Sequence, residues 1–139
     1  GIFAAFILGA SAVSLGTRFL VADECMIHEN YKEMILKSKD IDTIVTGRET
    51  GHPVRVLKNK LTRKITELEK EKGNTKEIEK LCTGTLKNAA IDGDVEFGSV
   101  MAGQISGLIT KRQSVKEIIE ELMFEYNSLV KSFVDGGKL

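Results

Sequence analysis

The first seventeen residues carry no charged side chain, and this run constrains the fold more than any other feature of the sequence. A secretion signal requires a basic start, and no basic residue precedes Arg18. A membrane span requires about 20 predominantly apolar residues, whereas glycine, serine and threonine interrupt this run from Gly9 onward. We therefore expect a buried helix over 2–8 and a buried parallel strand over 12–15. Because such a unit must pack against other elements, we expect the chain to be the C-terminal part of a longer protein.

Composition is that of a folded globular domain. The chain has 139 residues, 42% hydrophobic and 29% charged, which excludes a disordered tail, a collagen-like fibre and a coiled-coil rod. Twenty basic residues balance twenty acidic ones, so the sequence predicts neither a nucleic-acid partner nor a membrane-surface partner. Cys25 and Cys82 fit no metal or redox spacing and favour a reducing, cytoplasmic location.

Periodicity and turn residues predict a mostly helical chain with a short extended region. Glycine and β-branched residues in 42–57 indicate two short strands or extended loops. The last helix is predicted to begin after Ser114, which with Glu117 has the pattern of a capping box. The other predicted helices cover 28–39, 58–72, 74–90 and 99–109, with a loop over 91–98. Asn74 and Glu77 have the pattern of a second capping box, at the start of the helix over 74–90.

The turn Gly16–Thr17–Arg18 follows the predicted strand and has two interpretations. In an α/β barrel, the loops after the last strands commonly bind phosphate through backbone N–H groups. Gly16 permits close approach of a ligand to the backbone, and Thr17 offers a hydroxyl. On spacing alone, an ordinary exit from a strand is the simpler interpretation.

The segment 98–104 also has two interpretations. A glycine-rich helix start presents free N–H groups to an anionic or polarised ligand, and Gln104 is the one amide in an otherwise apolar stretch. The alternative is close helix packing through Gly103 and Gly107, with the Gln104 amide satisfied by neighbouring backbone.

Other polar clusters do not match known sites. Asp92, Asp94 and Glu96 imitate the start of a calcium loop, but Phe97 and Gly103 stand where that loop needs glycine and glutamate. The charged stretch 58–80 is best explained as a solvated helix face. One further cluster contains residue types that can bind metals but fits no metal-ligand spacing. Its members are Asp23, Glu24, Cys25, His28 and Glu29.

Seven segments together resemble one enzyme family, the FMN-dependent nitronate monooxygenases and enoyl-acyl-carrier-protein reductases. The resemblance is greatest to the C-terminal half of the reductases. The segments that carry it are 1–10, 12–19, 28–36, 40–43, 51–62, 93–95 and 98–104.

The resemblance implies an α/β fold, in which this chain is a fragment of a (β/α)8 barrel with an inserted α+β cap. Residues 1–40 would be the end of the flavin-binding barrel with its last strand, and 41–90 the cap. Residues 91–139 would return to the barrel mouth and form the final barrel helix.

The resemblance also implies the site and the chemistry. FMN would be held by Gly16, Thr17, Met101, Gly103 and Gln104, while His52 and Arg55 would shape the substrate pocket.

The family's activity would be hydride transfer from NADH or NADPH through FMN to an enoyl-acyl-carrier-protein thioester, as in fatty-acid biosynthesis. Oxidation of alkyl nitronates with FMN and oxygen is the alternative, and an inactive helical binding module is an alternative of another class.

The resemblance further implies what this chain lacks. The family's catalytic histidine lies in the first half of the barrel, so we expect no catalytic residue here, and neither His28 nor His52 inherits that function. We expect the chain alone to be inactive without the N-terminal barrel half. The whole protein would be a cytoplasmic homodimer that acts on an acyl-carrier-protein substrate.

Overall fold

The computed structural model of the chain describes residues 1–71 and 73–136, so Lys72 and the last three residues of the predicted region 91–139 lie outside it. The described elements are mostly helical, as predicted. A 3-10 helix spans Gln104–Leu108, and β1 (Thr43–Thr46) and β2 (Val54–Leu57) are strands. The described α-helices are α1 (Ile2–Ile7), α2 (Thr17–Leu20), α3 (Glu29–Leu36), α4 (Lys60–Leu68), α5 (Thr75–Cys82), α6 (Thr85–Ala90) and α7 (Val115–Val134).

Strands β1 and β2 form an antiparallel hairpin, which confirms the prediction for 42–57. Thr43 lies opposite Leu57, and Thr46 lies opposite Val54. The chain leaves β1 at Gly47, whose φ of +79° favours glycine, and an added Cβ there would overlap the His52 carbonyl. The turn can therefore return the chain directly into β2.

The segment 100–102 extends this hairpin, so the predicted helix over 99–109 is wrong apart from the short 3-10 helix. The Leu57 N–H donates to the Val100 carbonyl at 2.8 Å, and the Ala102 N–H donates to the Arg55 carbonyl at 3.2 Å. Gly107 does not serve helix packing, because an added Cβ there would overlap the backbone of Lys39 and Asp40. Close approach of two backbones explains this glycine.

Two apolar clusters lie in different parts of the chain. The larger cluster includes Val21, Tyr31, Ile35, Leu57 and Val100, and joins α3 to the hairpin. The smaller one consists of Leu61, Ile65 and Ile78, from α4 and α5, with Leu68, Leu81 and Cys82 packed against it. The helix predicted over 58–72 thus has an apolar core of its own, separate from the larger cluster.

Residues 12–15 do not form the predicted buried strand in this structure. The side chains of Val13 and Leu15 are 38% and 37% exposed, and no strand among residues 1–71 and 73–136 pairs with this segment. A β-strand depends on hydrogen bonds to a neighbour, and the described part of the chain supplies none. The segment has no regular secondary structure and leads from α1 to α2.

Helices α5 and α6 correct two details of the sequence prediction. The predicted helix through Ala90 is divided at Gly84, whose φ is +77°. The predicted capping box of Asn74 and Glu77 is absent, because the Asn74 amide instead donates to the Leu68 carbonyl at 3.1 Å. Asn74 thus ties α5 back to the end of α4.

Helix α7 confirms its prediction, including the capping box. The Ser114 hydroxyl accepts a hydrogen bond from the Glu117 N–H, and the Glu117 carboxylate accepts one from the Ser114 N–H. Ring contacts attach α1 to this helix: the Phe3 centroid lies 6.1 Å from that of Tyr126, and the Phe6 centroid lies 5.6 Å from it. No helix in the described ranges combines the length and the apolar character needed to cross a bilayer.

Candidate functional site

Two segments that the sequence singled out separately meet through one hydrogen bond. The Gly103 N–H donates to the Thr17 hydroxyl oxygen at 2.9 Å, although the two residues lie far apart in the chain. This contact places the start of α2 beside the start of the 3-10 helix. Gly16, Thr17, Gly103 and Gln104 therefore form one site, which we call the Thr17–Gly103 junction.

The junction presents backbone donors rather than charged side chains. Among residues 1–71 and 73–136, no acceptor is found for the backbone N–H groups of Gly16, Thr17 and Gln104. Gly16 has φ −106°, so the left-handed conformation that glycine favours is not what this position needs. A Cβ added at Gly16 would have no atom within 4 Å, and the backbone there faces open space.

Met101 is fixed to the same site by Tyr31. The Tyr31 hydroxyl donates to the Met101 carbonyl at 2.8 Å, and the tyrosine side chain is 2% exposed. Burial raises the pKa of Tyr31 from 10.0 to about 12, so the hydroxyl keeps its proton and stays a donor. Since Met101 also lies opposite Val56 of β2, its backbone is held from two sides.

A cavity of about 440 Å³ lies beside Met101, between the hairpin and helices α4 to α6. His52 and Thr50 reach it from the hairpin turn, and Val54 and Val56 reach it from β2. The turn is held by Glu69, whose carboxylate accepts hydrogen bonds from the N–H groups of Gly47 at 2.7 Å and Arg48 at 3.2 Å. The structure thus places His52 and Met101 around one cavity.

Arg55 does not join them. Side chains alternate along a strand, and Arg55 lies between two valines that line the cavity. Its guanidinium donates to the Thr43 hydroxyl at 3.0 Å instead. The structure therefore separates the two residues that the resemblance assigned to a single substrate pocket.

The acidic group near Cys25 is explained by contacts within the chain. Arg112 donates to Asp23 at 2.6 Å and forms an ion pair with Glu29. The His28 Nδ1 accepts the Asn30 N–H at 3.1 Å and caps α3. Within 1–71 and 73–136, no three histidine, cysteine or acidic side chains are grouped so that they could hold a metal ion.

The sequence model of one protein family, nitronate monooxygenase, matches residues 1–125 of the chain. The chain belongs to the nitronate monooxygenase family. A probable nitronate monooxygenase of Staphylococcus saprophyticus is 32% identical to it over 130 residues, which cover 94% of this chain and 36% of the relative. The chain thus spans just over a third of the length of this relative.

Two solved structures share the fold of this member of the nitronate monooxygenase family. FabK from Thermotoga maritima is 44% identical, with a TM-score of 0.90 over 96% of this chain and 42% of FabK. Nitroalkane oxidase from Streptomyces ansochromogenes is 26% identical, with a TM-score of 0.75 over 95% of this chain and 37% of the oxidase. The resemblance found in the sequence is confirmed at the level of the family.

Two residues important to the site geometry were not predicted as such. Tyr31 lies in the predicted helix over 28–39 and was assigned no function, yet its hydroxyl is itself a signal, because a buried tyrosine hydroxyl usually has a hydrogen-bond partner. Glu69 gave no such signal. Its position in a charged helix resembles that of its solvated neighbours, and only the tertiary fold brings it to the hairpin turn.

Proposed function

We propose that a full-length protein carrying this chain is an FMN-dependent oxidoreductase that transfers hydride from NADH to an enoyl-acyl-carrier-protein thioester. The observation that carries the flavin dependence is the Thr17–Gly103 junction, which joins the turn after the uncharged segment to the segment 101–104. Higher identity to FabK than to the nitronate monooxygenase and nitroalkane oxidase relatives supports the reductase over the oxidase.

The residues of the junction fit a flavin mononucleotide. A phosphate requires hydrogen-bond donors, and the N–H groups of Gly16 and Thr17 have no acceptor among the described residues. The open space beside Gly16 leaves room for a phosphate to approach the backbone. The exposed Gln104 amide can both donate and accept, as the polar edge of a flavin ring requires.

The chain's own residues would bind and orient, and they would not exchange protons with the substrate. Gly16 and Thr17 would hold the phosphate, while Met101, Gly103 and Gln104 would lie along the ring. Tyr31 would fix the Met101 backbone through its hydroxyl. When bound, FMN supplies the hydride chemistry, and the protein contributes position and electrostatics.

A second candidate function is oxidation of alkyl nitronates with FMN and oxygen. The family match over residues 1–125 and the names of the Staphylococcus relatives favour it. Both functions require the same flavin site, so the junction supports them equally. The identity of the substrate separates them.

The experiment compares both reactions in the purified full-length protein. The released cofactor is identified by mass spectrometry, and NADH and NADPH are each supplied with an enoyl thioester without oxygen. In parallel, an alkyl nitronate is supplied with oxygen. Faster turnover of the enoyl thioester is expected. Faster oxygen consumption on the nitronate would assign the oxidase function, and a protein with neither flavin nor turnover would be a binding module.

A further inference from the structure

The cavity beside Met101 has one apolar wall. Val56, Leu61 and Ile65 line it with side chains that are 2–3% exposed, and the half-buried Val54 and Cys82 continue the same wall. This wall favours burial of hydrocarbon, while threonine and serine side chains line the rest of the cavity together with His52 and Glu79. Its volume of about 440 Å³ lies within the range of small-molecule sites.

The segment 99–103 connects the cavity to the candidate flavin site. Ser99 and Met101 line it, and Gly103, two residues farther along, forms the junction with Thr17. A substrate whose reacting atoms lie at the junction could therefore extend an attached chain into this cavity. Polar side chains at the hairpin turn, including His52 and Thr50, stand at its rim.

The charges around the cavity disfavour a nucleotide. No lysine or arginine is found among its described lining residues, and Glu79 is the acidic side chain among them. Phosphate groups would lack a cationic partner there and would lie near a carboxylate. A larger groove of about 1040 Å³ between α4 and α5 shares no lining residue with the cavity and is lined by charges of both signs.

We propose that this cavity binds the aliphatic chain of the substrate and limits the chain length that the enzyme accepts. The proposal rests on the proposed function, because it assumes that the reaction takes place at the Thr17–Gly103 junction. It holds for either candidate reaction, since an acyl thioester and an alkyl nitronate can both carry such a chain. The side chains that would set the limit are Val54, Val56, Ile65, Cys82 and Leu86.

Cys82 allows chain binding to be measured without turnover. A small thiol reagent is added to the flavin-loaded full-length protein, and mass spectrometry follows the peptides that contain Cys82 and Cys25. Saturated thioesters with short and long chains serve as ligands because they have no double bond for the enzyme to reduce. At about ten times its Kd, the long-chain thioester should slow labelling of Cys82 about tenfold. Cys25 is the control, because it is half-buried but does not line the cavity.

A pair of variants on α6 tests the length limit. Leu86 lines the cavity and is 44% exposed, so Leu86→Trp can fill the cavity from its rim. The matched control is Asn88→Trp, at an exposed position on the same helix that does not line the cavity. Leu86→Trp should lower kcat/KM for long-chain substrates by about tenfold or more, with little change for short ones. Asn88→Trp should leave both unchanged.

The outcomes separate this proposal from the proposed function. Equal labelling of Cys82 with short and long ligands would overturn the chain-binding proposal, even if the enoyl thioester is reduced efficiently. Protection by the long chain without enoyl turnover would keep the cavity assignment and reject the reductase function. Nitroalkanes of matched chain length, used as ligands in the same labelling assay, then show which substrate class the cavity serves. If Leu86→Trp fails to fold by circular dichroism, the labelling result decides alone.

Discussion

Tyr31 connects the stability of the chain to the geometry of its site. The ring belongs to the larger apolar cluster, while the hydroxyl holds the Met101 carbonyl. One side chain therefore links α3 to the segment that extends the hairpin. Removing the hydroxyl leaves the ring in place and breaks only this link.

We expect Tyr31→Phe to lower the free energy of unfolding by about 1–2 kcal/mol, because the Met101 carbonyl loses its donor. Since the pKa of Tyr31 is raised in the folded state, its contribution is complete below pH 10 and is lost as the pH rises toward about 12. Denaturant unfolding of both proteins over this pH range measures the effect. A parent protein whose stability falls no more steeply than that of Tyr31→Phe would contradict the assignment.

Gly16 and Gln104 should differ in their effects on FMN. Gly16→Val finds open space in the chain itself, so folding should persist, but the branched side chain would occupy the place proposed for the phosphate. Its Kd for FMN should weaken at least about tenfold, or 1.4 kcal/mol. Gln104→Ala removes one hydrogen bond, about 1 kcal/mol, so FMN should remain bound while turnover changes.

Titration of both flavin-free variants with FMN, with circular dichroism as a control for folding, measures this difference. If Gly16→Val binds FMN as the parent does, the turn is an ordinary exit from an extended segment. The φ of −106° at Gly16 lies outside the left-handed region, so close approach of a ligand and not backbone strain is the proposed reason for this glycine.

At the level of elements, Asn59 does more than cap α4. Its side-chain Oδ1 accepts the Thr62 N–H at 3.0 Å, and its side-chain Nδ2 donates to the carbonyls of Val95 and Gly98, each at 2.8 Å. The start of α4 is thereby tied to the loop before the segment 100–102. The helix cap and the loop tether are separate functions of one side chain.

Two substitutions separate these functions. Asn59→Ser keeps a good capping residue but cannot reach the two carbonyls, whereas Asn59→Ala loses both contributions. We expect Asn59→Ala to be less stable than Asn59→Ser by about 1 kcal/mol, and both to be less stable than the parent. Denaturant unfolding provides the measurement, and equal stability of Asn59→Ser and the parent would show that the tether contributes nothing.

Elements with local causes could be predicted from the sequence, and elements with distant causes could not. Helix α7 has an apolar period and a capping box within its own residues, so its prediction is confirmed. The segment 100–102 is extended because Leu57 and Arg55 pair with it from a distance. Nothing within 99–109 indicates these partners, and its glycines resemble those of a helix packing motif.

The candidate site, too, could be predicted only where its features have local causes in the sequence. The sequence singled out the turn at Gly16 and the segment 98–104, yet only the fold shows that Thr17 and Gly103 share a hydrogen bond. The free donors of 98–104 were expected at the start of a helix over 99–109, and the Gln104 N–H is found instead at the start of a short 3-10 helix. Met101 and His52 share a cavity because β2 brings them together, a pairing that periodicity alone cannot give.

For the molecule as a whole, the outer surface of α1 and α7 is unusually apolar. Leu8 is 88% exposed, Phe124 74%, Phe133 60% and Ile7 59%. An apolar surface of this kind normally lies against another part of a protein. The relatives are more than twice as long as this chain, so in them there is further chain that can cover the equivalent surface.

We expect the isolated chain to self-associate, to bind apolar dyes, and neither to retain FMN nor to oxidise NADH. Analytical ultracentrifugation, dye fluorescence and flavin absorbance on one sample measure these properties. Phe124→Ser should reduce self-association and dye binding, while Ser128→Ala, at an exposed position on the same helix, should leave both unchanged. A monomeric chain with stoichiometric flavin and turnover would contradict the expectation.

The pairing of β2 with the segment 100–102 has a consequence for how such proteins diversify. The chain leaves β2 at Leu57 and returns at Val100, and these two residues share a hydrogen bond of 2.8 Å. The segment 58–99 between them is therefore a loop closed at its base, and it contains the apolar cluster of Leu61, Ile65 and Ile78. Because its two ends are already held together, this segment can be replaced by another or lengthened at little cost in chain entropy. If the proposed function holds, swapping the segment 58–99 between members of the nitronate monooxygenase family should alter the substrate range and leave the proposed flavin site unchanged.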